Sequence, residues 1–148
     1  MIKTFTGRIV VSGQASAKAV VSRQGFNTLA SFQKSILAKK KDSVCSDQNN
    51  PDLFNKPMAG KALCLPQSIG STTGGLVFLT ASSMGSAPAC MLFSEPIDSL
   101  AAAGAILSDV WTQNSMPTID SLGQDFLDYV KDGMEVIVSL DGTVSVSD

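Results

Sequence analysis

Residues 61–93, KALCLPQSIGSTTGGLVFLTASSMGSAPACMLF, decide the fold. Lys61–Leu65 is a short apolar strand closed by Pro66, and Leu76–Met84 reads as a helix. Ala89–Phe93 is continuously apolar, the mark of a strand covered on both faces. The unit then repeats. Asp98 or Ser99 is placed to cap a helix over 99–111, in which Leu100, Ala103, Leu107, Val110 and Trp111 recur at intervals of three and four. That periodicity puts Trp111 in the core or against a partner. Pro117–Ile119 reads as a third strand. Strand, helix, strand, helix, strand predicts an α/β fold whose central parallel sheet has right-handed crossovers.

Outward from this centre the chain is β-rich. Residues 2–11 alternate weakly and 17–22 form a second strand after a turn at Gly13, while 26–32 suit a strand or a turn segment. Residues 122–130 suit a short helix or turn. Near the C-terminus, Glu135–Leu140 and Thr143–Val146 flank Asp141-Gly142, a strong hairpin signal. The two ends together predict a second, antiparallel layer packed on the parallel one. Residues 39–58 are polar, with two prolines and the Lys39–Lys41 run, and predict a long loop with a solvated lysine edge.

With 148 residues the chain is sized for one domain, 1–148, and its 44% hydrophobic content is ample for a core. Eleven Lys and Arg against 13 Asp and Glu leave a net charge of −2, which argues against a nucleic-acid surface. Histidine is absent, so no Ser-His-Asp triad, Cys-His pair or HExxH site comes from this chain alone. No signal peptide or membrane span is legible, which predicts a cytoplasmic chain with no membrane partner. Charged residues are only 16%, against about 25% in an average soluble domain. Either Ser, Thr, Asn and Gln dress the surface, or another chain covers a large face.

Residues 66–75 are the first candidate site. A loop leaving the carboxyl edge of a parallel strand and entering a helix is where open α/β sheets bind ligands. The helix start favours an anion, glycines at 70, 74 and 75 permit close approach, and Ser68, Ser71, Thr72 and Thr73 add hydroxyls. No lysine follows as in a Walker loop, and the glycines lack dinucleotide-binding spacing. On residue types alone, Ser71–Thr73 read first as a helix cap, since Ser and Thr lead the N-cap ranking. A non-catalytic module holding a phosphorylated metabolite is therefore also open. Cys45, in the polar stretch 44–51, is a second candidate, as a metal or cluster ligand or as an ordinary loop cysteine. Cys64 and Cys90 fall inside apolar strands and read as core.

The string Ala59-Gly60-Lys61-Ala62-Leu63-Cys64-Leu65-Pro66, followed by Gly70-Ser71-Thr72-Thr73-Gly74, resembles the small subunit of the aconitase X family. Gly85–Ala89, Glu95–Ile97 and Ala102–Ile106 are also similar to it, and the likeness runs from about Gly7 to Val146. The resemblance implies a three-layer swivelling β/β/α domain that closes over the site of a large catalytic subunit. It further implies an iron-sulfur cluster or iron held mainly by that subunit, and a hydro-lyase reaction on a small hydroxy acid. By the same likeness Ser71 is the proton-abstracting base, Gly70 and Thr72 shape its anion pocket, and Thr73 is placed for substrate. A serine hydroxyl becomes a base only where helix-end N–H groups, a cation and the exclusion of water stabilise its alkoxide. Where many relatives carry Gly-Arg-Gly-Ser, this chain has Ser68-Ile69-Gly70-Ser71. The missing arginine points to cis-3-hydroxy-L-proline as substrate, with (R)-5-phosphomevalonate as the alternative.

Overall fold

The computed structural model describes residues 1–69, 74–112 and 116–148. In chain order the elements are β1 (Ile2–Thr6), β2 (Arg8–Val11), β3 (Ala15–Val21), β4 (Phe26–Asn27), α1 (Thr28–Leu37), β5 (Ala62–Leu65) and β6 (Ser68–Ile69). They continue with α2 (Gly74–Met84), β7 (Cys90–Phe93), α3 (Ser99–Trp111), β8 (Thr118–Asp120), α4 (Gln124–Tyr129), β9 (Glu135–Val138) and β10 (Thr143–Ser147).

Strands β3, β5, β7 and β8 are parallel neighbours, as the repeated strand–helix unit requires. β3 serves two layers. Its second half, Ala19–Val21, pairs with β5, and its first half, Ala15–Lys18, pairs antiparallel with β9. The hairpin β9–β10 and then β1 extend that antiparallel layer.

Alternation along the buried strands sorts two cores. Leu63, Leu65, Met91 and Phe93 face the helical layer, meeting Phe32 of α1, Phe78 of α2 and Ala101 and Ala105 of α3. Cys64, Cys90 and Leu92 face the other way, onto Val136, Val138, Val144 and Val146 of the hairpin and Phe126 of α4. Helices, parallel strands and antiparallel strands thus make the β/β/α layering. Both strand cysteines are fully buried. Burial pushes the Cys90 thiol up to about 12, and the Cys64 thiol is raised well above its usual value for the same reason.

Three expectations change. Residues 2–11 are two strands, because the chain breaks at Gly7 and sends β1 and β2 to opposite ends of the strand order. A Cβ at Gly7 would collide with the Asp120 carbonyl, so only glycine lets the chain cross there. Residues 26–32 are mostly helical: β4 gives way at once to α1, with Asn27 Oδ1 accepting from the Ala30 amide at 3.1 Å. Third, the periodic stripe of α3 faces outward. Its buried residues are Ala101, Gly104, Ala105 and Ser108, while Val110 and Trp111 are 66% and 70% exposed. Close packing on α2 selects the small side chains and turns the large ones to solvent.

The 39–58 stretch lacks helices and strands but is well tied down. Cys45, Leu53 and Met58 are fully buried, and a bridge between Val44 and Pro57 closes its neck. Lys39–Lys41 are exposed, as a solvated edge should be.

Candidate active site

Parallel strand–helix units bring the carboxyl ends of strands and the amino ends of helices to one edge, and here main-chain hydrogen bonds sew that edge together. The Ser94 amide donates to the Leu65 carbonyl at 3.0 Å, and the Glu95 amide to the Pro66 carbonyl at 3.2 Å. From the next loop, Leu122 and Gly123 donate to the carbonyls of Phe93 and Ser94. The turns after β5, β7 and β8 therefore form one continuous rim.

The first candidate segment springs from this rim. β6 pairs parallel with β4, Phe26 opposite Ser68 and Asn27 opposite Ile69, so α1 and the approach to α2 share one small ribbon. Side chains cap α1 and α3: Asn27 for the former, and for the latter Asp98, whose Oδ2 accepts from the Ala101 amide at 2.9 Å. Asp98, not Ser99, is thus the α3 cap. α2 follows the segment directly, and its first turn lies against α3, Gly75 beside Leu100 and Gly104. Unpaired first-turn N–H groups and the helix dipole favour negative charge at such an end. Gly70, Ser71, Thr72 and Thr73 lie outside the described residues.

The sequence reading missed Ser94 and the pair Arg8–Asp120. The Oγ atoms of Ser68 and Ser94 are enclosed at the rim without a hydrogen-bond partner among the described residues, although buried hydroxyls are normally satisfied. Asp120, at the end of β8, is fully buried. Its carboxylate accepts from Arg8 Nε at 3.0 Å, from Arg8 Nη2 at 2.5 Å and from the Ile97 amide at 2.7 Å. Burial works to raise this carboxyl, but the hydrogen bonds from Arg8 and Ile97 and the Arg8 charge outweigh it and hold it below the usual aspartate value. The result is a fixed, largely exposed guanidinium on the same edge. The only available signal was an acidic residue ending an apolar strand, which is too common to single out.

Cys45 lies elsewhere, in the folded-back loop. Its amide donates to the Lys56 carbonyl and its carbonyl accepts from the Asn55 amide, both at 2.9 Å. Burial raises its thiol, as in a cysteine packed in the core. Among the described residues no group of three or more Cys, Asp or Glu is placed to hold a metal ion, so they do not form a cage for iron or a cluster. Among them, too, no helix is long and apolar enough to cross a membrane.

Comparison with known proteins agrees with this layout. A family model described as the aconitase X swivel domain matches residues 4–146. The phosphomevalonate dehydratase small subunit of Methanosarcina mazei is 32% identical over 139 residues, covering 91% of this chain and 84% of that one. The cis-3-hydroxy-L-proline dehydratase of Pseudomonas aeruginosa is 32% identical over 119 residues, 80% of this chain but 19% of that longer one. The crystal structure of Thermococcus kodakaraensis aconitase X in its holo-form superposes with a TM-score of 0.81 at 26% identity, over 99% of both chains.

Proposed function

The chain belongs to the aconitase X swivel-domain family as the small subunit of an aconitase X-type dehydratase, and from that premise we propose that it helps dehydrate a small β-hydroxy acid, with Ser71 as the base. What supports the reading is the sequence order Leu65-Pro66, Gly70-Ser71-Thr72-Thr73-Gly74 at the entry to α2, together with the first turn of α2 lying against the start of α3. Ser71 takes the proton next to the substrate carboxylate, and hydroxide leaves from the neighbouring carbon. The α2 amino end favours the negative charge that develops on the serine oxygen. Gly70 and Thr72 shape that pocket, Thr73 meets the substrate, and the enclosed Ser94 hydroxyl offers a further hydrogen bond. Iron or an iron-sulfur cluster belongs mainly to the large subunit.

We assign cis-3-hydroxy-L-proline as the first substrate. Loss of the Cα proton and the C3 hydroxyl gives a cyclic enamine that tautomerises to Δ1-pyrroline-2-carboxylate. Residues 67–75 offer no cation for a phosphate, and Arg8 on the same edge is matched by Asp120. The second reading is (R)-5-phosphomevalonate, favoured by the names of the Methanosarcina mazei and Thermococcus kodakarensis relatives. The test is coexpression with the large chain and an absorbance assay across both substrates. Turnover of cis-3-hydroxy-L-proline by the complex, with this chain silent alone, is expected. Turnover of the phosphorylated acid only selects the second reading, and turnover by this chain alone overturns the subunit role.

A further inference from the structure

The solvent side of the helical layer carries an apolar stripe that folding leaves unused. Leu76 and Leu100, 64% and 42% exposed, begin it beside the amino ends of α2 and α3, next to the candidate site. Ile106, Val110 and Trp111, 46–70% exposed, carry it down α3. Scattered exposed apolar residues are ordinary, but four large ones on a single helix, ending in a tryptophan, have the composition of a contact surface. Charge is nearly absent from these helices: α2 has no charged residue and α3 has only Asp109. The opposite, sheet face differs. It carries the exposed pair Lys18–Glu135, and Lys3 lies over the rings of Phe5 and Tyr129. α2 and α3 are thus poor in charge, as expected where another chain covers the surface.

We propose that this face, from Leu76 and Leu100 to Trp111, is where the large subunit docks, an inference that rests on the small-subunit reading above. Two observations name the occupant. In the Pseudomonas aeruginosa relative the matched unit is 19% of one longer chain, so about four-fifths of that protein is a body to which this unit is joined. The stripe also starts at the rim that such a body would close, so one partner both completes the site and continues along the helices.

The test uses the full chain coexpressed with the large chain. Val110→Glu/Trp111→Glu alters exposed side chains only, and Ile137→Glu, half-exposed on β9, is the control on the sheet face. Circular dichroism and melting establish that each variant folds. Light scattering then reads the mass of the complex, and calorimetry reads its Kd. Wild type and Ile137→Glu are expected to bind the large chain alike, and the double variant at least tenfold more weakly. Binding of the double variant within twofold of wild type overturns the proposal, as does failure of wild type to bind. A wild-type chain that dimerises alone and is split by the same changes overturns it in favour of a second copy. A wild-type complex that forms through this face yet dehydrates no hydroxy acid leaves the docking surface standing and removes the functional reading instead.

Discussion

Gly75 and Gly104 set the backbones of α2 and α3 against each other: a Cβ on either would run into main-chain atoms of the opposite helix. This contact explains why α3 buries Ala101, Gly104, Ala105 and Ser108, one small residue every three or four positions, and leaves its larger side chains outside. It also locks the start of α2 in place at the rim.

Gly75→Ala and Gly104→Ala are each expected to destabilise the fold by about 1–3 kcal/mol, because a backbone clash cannot relax by rotating a side chain. Urea unfolding measures this. Gly85→Ala is a different case: it has open space around it and pays only for a positive φ of 75°. Equal midpoints for Gly104→Ala and wild type would show that the helices part without cost.

Ser71→Ala in the assembled enzyme is expected to lower kcat by several orders of magnitude with little change in melting temperature. Were Ser71 only a helix cap, its loss would cost about 0.5–2 kcal/mol of stability and spare most activity. Thr72→Ala is the control. If that variant loses turnover while Ser71→Ala keeps it, the base is one residue further on.

Cys45→Ser separates packing from ligation. Because the thiol is fully buried and raised by that burial, the expected result is a lower melting temperature with unchanged iron content in the complex. A fall in bound iron, read by atomic absorption, would make Cys45 a ligand. Cys64→Ser and Cys90→Ser should likewise affect stability and not iron.

Asp120 predicts a loss of stability in acid. Its folded value is held below the unfolded one, about 3.9, so its stabilisation is complete above that pH. It declines as pH falls from there through the lowered folded value. Denaturation midpoints measured from pH 6 downward should therefore fall less steeply for Asp120→Asn than for wild type. Parallel curves would remove Asp120 as a contributor.

The layering was legible because it follows from local signals. Continuous apolar strands such as Cys90–Phe93, the cap at Asp98 and the Asp141-Gly142 turn each dictate an element, and their order dictates the parallel sheet. The string from Leu65 to Gly74 nominated the candidate site, and its residues 70–73 lie outside the described residues. Tertiary contact decided the rest. Periodicity shows that α3 has an apolar stripe, but which face is buried depends on how near a neighbouring helix must come, and glycine contact with α2 reversed the hydrophobic choice. The break at Gly7 and the meeting of Arg8 with Asp120, 112 residues apart, have the same origin. Backbone approach and the pairing of distant charges depend on where separate elements pack, and no window of neighbouring residues contains that information.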